Sequence, residues 1–146
     1  MKVAVLMGSP NDQSKMAPAS ATLSEFGIHA DEHVMSAHRA PALVAEFARH
    51  ARDNGYAAVI CGAGMAAHLA GAVAANTTLP VVGVPLSGGA LNGLDALYAT
   101  VQMPKGVPVA TVAIDGAANA AILVAQMLAI ADADLAAKLE ERKTHR

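Results

Sequence analysis

Two of the six histidines stand among glycine, serine and arginine, and histidine is the side chain that takes and returns a proton near neutral pH. His38 lies in Ser36-Ala37-His38-Arg39, and His68 ends the run Gly62-Ala63-Gly64-Met65-Ala66-Ala67-His68. Gly8-Ser9-Pro10-Asn11-Asp12 and Pro85-Leu86-Ser87-Gly88-Gly89 are of similar composition. These types support anion binding beside a proton carrier. Glycine lets backbone approach a ligand closely, and amides at a helix start are unpaired donors. Ser9 and Ser36 add hydroxyl donors, and Arg39 adds a planar fork matched to phosphate oxygens. Asp12 would repel a phosphate, so a ribose diol donating both hydroxyls to the carboxylate is its better partner. Helix capping is the competing role for Asp12, and turn capping for Ser36.

Other reactive types lack such company. His29 and His33 fall on a strand body, His50 on an exposed helix face and His145 in the tail, so all four read as structural or solvated. Cys61 ends an apolar run and reads as a small core residue. No metal-ligand spacing, phosphate-binding Walker loop, dinucleotide glycine fingerprint or nucleophile elbow occurs.

The four loops meet only if the intervening elements place them at one edge. Lys2 to Met7, Ile28 to Met35, Tyr56 to Cys61, Pro80 to Val84 and Val107 to Ile114 read as short strands. The third is a continuous apolar run, as expected for a strand buried on both faces. Helices are expected over Asp12 to Phe26, Pro41 to Asn54, Met65 to Asn76, Asn92 to Met103 and Ala117 to Ala131, with a charged helix at about 132–144. Pro18 conflicts with the first helix and argues for a later start, because an interior proline costs about 3 kcal/mol. In the second, Leu43, Val44, Phe47, Ala48 and Ala51 share one face, and Pro41 suits its first position. Strands alternating with helices imply right-handed crossovers and a parallel sheet. The expected fold is a flavodoxin-like three-layer α/β/α sandwich with five parallel strands in the order 2-1-3-4-5, forming one catalytic domain over residues 1–146. Ligands in such sheets bind outside the carboxyl ends of the strands, where these loops lie.

Composition narrows the partners. Charged residues are 15% of the chain, against about 25% in ordinary domains. Hydrophobic residues are 54%, mostly Ala and Val, which favours surface covered by other subunits over a mere compositional bias toward alanine. A net charge of −2 leaves no basic footprint for nucleic acid. No run of 18 apolar residues implies a membrane span, and the apolar start runs into Gly8-Ser9-Pro10 as a strand runs into a turn. A single cysteine excludes an intrachain disulfide, and the cytoplasm is the expected compartment.

Taken together, these segments resemble the class I N5-carboxyaminoimidazole ribonucleotide mutases of purine biosynthesis. The likeness rests on Met7-Gly8-Ser9 with Asp12, Ser36-Ala37-His38-Arg39 with Pro41, and Ala63-Gly64 with Ala66-Ala67-His68-Leu69 and Gly71. It continues through Gly83-Val84-Pro85, Gly93 with Asp95, Val101-Gln102-Met103-Pro104 with Gly106, Pro108 to Ile114, Asn119-Ala120 and Gln126, covering almost the whole chain. The resemblance implies a homo-octamer without cofactor or metal. It implies that a carboxyl group moves from the exocyclic nitrogen of a phosphorylated ribonucleotide to ring carbon C4, by decarboxylation and recarboxylation. His38 and His68 would be the catalytic pair, with His38 handling the proton. Gly8, Ser9, Asp12, Ser36, Ala37, Arg39, Gly64, Ala66, Ala67 and Leu69 would bind substrate. Asn11, Gln13, Ala40, Met65, Ala70, Ala96 and Ala99 depart from the usual pattern, and the Asp115-Gly116 turn is shorter than usual. Alternatives are a direct carboxylase of aminoimidazole ribonucleotide, a paralogue acting on another mononucleotide, and a nucleotide-binding subunit without catalysis.

Overall fold

The computed structural model describes residues 1–145 of the chain. Five parallel strands form one sheet in the order β2-β1-β3-β4-β5: β1 (Lys2–Met7), β2 (His29–Val34), β3 (Tyr56–Gly64), β4 (Val81–Leu86) and β5 (Ala110–Thr111). Side chains alternate across the central strands, so successive residues feed two cores. Val3, Val5, Met7 and Ile60 face α1 (Gln13–Glu25) and α5 (Ala117–Ala129), with α6 (Ala133–Thr144) packed alongside. Ala4, Leu6, Val59 and Cys61 face α2 (Pro41–His50) and α3 (Leu69–Ala74). The sixth helix, α4 (Leu94–Val101), lies against β4. Its Thr100 closes on Gly83, where an added Cβ would lie 2.4 Å from the Thr100 methyl.

The expected fold class and strand order are those observed, and several boundaries differ. Helix α1 runs continuously through Pro18 after a 3₁₀ turn at Pro10–Asp12, so it does not start late. Pro18 is exposed, as is Ser14, whose carbonyl loses its amide partner, so water can replace that bond. Gly62, Ala63 and Gly64 belong to β3 rather than to the loop after it, and pair with Val84, Pro85 and Leu86. The β4 loop accordingly begins at Ser87. Helix α3 starts at Leu69, not Met65, because Met65 adopts a left-handed φ of 53°. Strand β5 is two residues long, since it pairs only with β4 at the sheet edge. Helix α2 ends at His50, and Leu43 stays 52% exposed rather than joining the core face.

Candidate active site

At the carboxyl ends of β1, β2, β3 and β4 lies a cleft of about 580 Å³, within the range of small-ligand sites. One wall follows β2. Met35 is buried and its amide donates to Met7 O at 3.0 Å, anchoring the chain as it leaves the sheet. A turn follows, closed by Ala40 N donating to Ser36 O at 2.9 Å, and Arg39 N donates to Ser36 Oγ at 3.2 Å. This turn leaves His38 and Arg39 exposed just before Pro41 opens α2.

The opposite wall follows β3. The left-handed Met65 turns the chain, Ala67 N donates to Met65 O at 2.8 Å, and the Ala67 side chain is buried at 2% exposure. His68 then takes the N-cap position of α3 and remains exposed. The outcome is a face-to-face pair: the His38 and His68 rings lie 6.1 Å apart between centroids and 6° from parallel. Residues 30 positions apart in sequence thus share one site.

Hydrogen bonding separates the serines lining this cleft. Ser9 Oγ accepts from Asn11 N at 3.2 Å, and Ser36 Oγ accepts from Arg39 N. Each therefore acts as a turn cap while its own hydroxyl proton can still point outward to a ligand. Ser87 differs. Its hydroxyl donates to Asp115 Oδ2 at 2.5 Å and accepts from Lys15 Nζ at 3.1 Å. The Gly8 amide is also occupied, donating to Gly62 O at 3.1 Å, so Gly8 contributes close approach rather than a donor. Asp12 occupies the N-cap position of α1 but its side chain caps nothing. Partial burial pushes its carboxyl above the ordinary range, opposed by the Ser9 amide and the Lys15 charge.

Of the residues nominated from sequence, Gly8, Ser9, Asp12, Ser36, Ala37, His38, Arg39, Gly64, Ala66, His68 and Leu69 line the cleft. Ala67 does not: its side chain points into the core and fixes the turn before His68. Asn11, Ala63, Met65, Ser87 and Gly88 also line it and were not nominated. The glycines after β4 were the available signal for the last two. His33 is engaged elsewhere, with Asp31 and Tyr56 on the β2 edge. Cys61 is fully buried, and burial pushes its thiol far up, away from nucleophile chemistry. Among the described residues, no group of three or more His, Cys, Asp or Glu could hold a metal ion, and no helix is long and apolar enough to cross a membrane.

Comparison with known proteins matches residues 2–146 to the AIR carboxylase family. The N5-carboxyaminoimidazole ribonucleotide mutase of Vibrio vulnificus is 51% identical over 142 residues, covering 96% of this chain and 88% of that protein. The mutase of the same name from Saccharolobus solfataricus is 51% identical over 140 residues, covering 96% and 89%. The crystal structure of Treponema denticola PurE superposes with a TM-score of 0.90 at 25% identity, covering 99% of this chain and 90% of that one.

Proposed function

Because this chain belongs to the AIR carboxylase family, we propose that it catalyses the reaction for which its half-identical relatives are named. That reaction converts N5-carboxyaminoimidazole ribonucleotide to 4-carboxy-5-aminoimidazole ribonucleotide in purine biosynthesis. The observation that carries the proposal is the near-parallel imidazole pair in a cleft that is also lined by two serines, whose hydroxyls only accept from backbone, and by a guanidinium.

Each residue has a role in this scheme. Arg39, Ser9 and Ser36 hold the phosphate, and Asp12 accepts the ribose hydroxyls. Gly8, Ala37, Gly64, Ala66 and Leu69 shape the remaining contact surface. Ala67 contributes only by fixing the turn. His38 gives a proton to the exocyclic nitrogen as the N–C bond breaks and carbon dioxide leaves. The electron-rich C4 then attacks that carbon dioxide. The new bond leaves C4 carrying its hydrogen, and His38 takes it as a proton, restoring the aromatic ring and its own starting state. His68, stacked beside it, lines the same reaction space. Holding both fragments in one cleft replaces a bimolecular encounter by a high effective concentration.

The assay supplies purified chain with the carboxylated nucleotide and follows the C-carboxylated product, with aminoimidazole ribonucleotide plus bicarbonate as the control. Conversion without added bicarbonate is expected. Turnover of the control alone would make the chain a direct carboxylase. Binding without turnover in either arm would leave a nucleotide-binding subunit.

The proposal extends to a cytoplasmic homo-octamer of one catalytic domain spanning residues 1–146. Leu94, Tyr98 and Val101 form a stripe at helical spacing along α4, each between 44% and 59% exposed, and Leu91 in the turn before it is equally exposed, which suits burial against another copy. Light scattering on a sizing column is expected to read eight chains, and a monomer would refute the assembly.

A further inference from the structure

Taking the carboxyl shift above as the reaction, we propose that Lys15 and Asp115 are positioning residues that clamp the loop after β4 against the reactive side of the cleft, keeping released carbon dioxide beside the nucleotide. Strand order sets the geography. The β1 and β2 loops bring Ser9, Asp12, Ser36 and Arg39, whereas the neighbouring β3 and β4 loops bring Met65, His68, Ser87 and Gly88. The β4 loop is therefore on the side of His68, whose ring stacks on that of His38, and across the cleft from Ser36 and Arg39.

This loop has little stiffness of its own, since Gly88 and Gly89 follow Ser87 at φ of 145° and 66°. Two distant residues hold it. Asp115, in the turn between β5 and α5, accepts from Ser87 N at 2.9 Å through one carboxylate oxygen and from the Ser87 hydroxyl at 2.5 Å through the other. Lys15, in the first turn of α1, donates to Ser87 O at 2.5 Å and to Ser87 Oγ at 3.1 Å. Asp115 N donates to Pro85 O at 2.8 Å, tying the same turn to the end of β4. Every polar group of Ser87 in these bonds faces protein, so it walls the cleft rather than binding substrate. Gly89 abuts Met65, where an added Cβ would lie 3.3 Å from Met65 Cγ, so the two loops meet on this side.

Two further observations support a positioning role. Asp115 is not glycine yet sits at φ 60°, a left-handed conformation tolerated here by a residue whose carboxylate the loop uses. Lys15 is also the cation that favours ionisation of both Asp115 and the cleft's Asp12. Neither Lys15 nor Asp115 lines the cleft.

The test uses the full chain with Lys15→Met, Asp115→Gly and Lys15→Arg. Glycine suits the left-handed backbone, so Asp115→Gly removes the carboxylate without adding strain. We expect Lys15→Met and Asp115→Gly to lower kcat about tenfold through loosened orientation. The share of nucleotide released as uncarboxylated aminoimidazole ribonucleotide should rise several-fold, while KM stays within about threefold. Lys15→Arg is expected to restore most of the coupling. Wild-type partition in both deletion variants, or a loss confined to KM, would overturn the proposal. Amide hydrogen exchange at residues 87–89 reads the clamp independently of the reaction. Faster exchange in both deletion variants is expected, and unchanged exchange overturns the clamp. A wild-type chain that fails to shift the carboxyl refutes the assigned reaction instead.

Discussion

The sheet carries a hollow at each end, and the two differ in what their polar groups are doing. The second hollow, about 420 Å³, is lined by Arg49, Arg52, Asp53, Ala75, Asn76, Thr77 and Thr78, where α2 and α3 end and β4 begins. Arg52 there donates to Thr78 Oγ1 at 3.0 Å and to Thr78 O at 3.3 Å. Asn76 Nδ2 donates to Ala72 O at 2.9 Å, and Thr77 Oγ1 accepts from Leu79 N at 3.2 Å. The helix ends facing it are carboxyl-terminal, which disfavours an anion. In the cleft at the other end, the Ser9 and Ser36 hydroxyls accept from backbone and keep their own protons free to donate, beside Arg39 and two imidazoles. Both hollows contain arginine, serine or threonine, and space. Only one sets spare hydroxyl and guanidinium donors beside a stacked pair of imidazoles.

The largest effect that would break this contrast is at His38. His38→Asn is expected to lower kcat by about 10² to 10⁴, the usual contribution of a positioned acid–base group. Nucleotide affinity, measured by calorimetry, should stay within a few-fold because phosphate and ribose contacts remain. Near-normal turnover would remove His38 as proton carrier. The matched arginine pair comes next. Arg39→Ala should weaken nucleotide binding about 10- to 100-fold, as expected for a lost charged hydrogen bond. Arg52→Ala should leave affinity unchanged and cost about 0.5–1 kcal/mol of stability in urea unfolding, since its exposed bonds to Thr78 are structural. Equal losses of affinity in the two variants would erase the distinction between the hollows.

Much of this was legible from residue pattern. The buried strands were clear because Val3 to Met7 and Ala58 to Cys61 are apolar on both faces, as a central parallel strand must be. Most site residues followed from the rule that ligands sit at strand carboxyl ends, once the strands were placed. The failures share a cause in tertiary context. Pro18 argued locally for a late helix, but the packing of Met16, Ala19 and Leu23 into the core holds α1 together across it. Ala67 looked like its neighbours Ala66 and His68, and only the left-handed turn at Met65 sends its side chain inward. The Ser87 loop was legible, but its pairing with Lys15 and Asp115 was not, because those partners lie 72 and 28 residues away in the chain.

The smallest expected effects sharpen the contrast through the carboxylates. On the β2 edge, Asp31 accepts from the Tyr56 hydroxyl and from His33 Nε2 at 3.1 Å, and the Tyr56 bond chiefly holds its carboxyl below the ordinary range. Burial first, and then the Asp31 carboxylate, raises the Tyr56 hydroxyl to about 12. Asp12 in the cleft goes the other way, raised first by burial. The signs follow by linkage. A lowered folded value means the unfolded chain binds protons more readily, so the Asp31 contribution is complete above about pH 4 and is lost as pH falls through the folded value. A raised value means the native state favours protonated Asp12, so that contribution is present at acid pH and lost as pH rises through the folded value. Asp31→Asn should therefore reduce stability at pH 7 and flatten the acid limb of a urea-midpoint profile. Asp12→Asn should leave pH 7 stability equal or slightly raised while weakening nucleotide affinity about tenfold, as a lost charged hydrogen bond would. Both groups are partly exposed, so each stability change should stay within about 1 kcal/mol. Destabilisation by Asp12→Asn at pH 7, with affinity intact, would make Asp12 a structural carboxylate like Asp31 and leave the ribose without its partner.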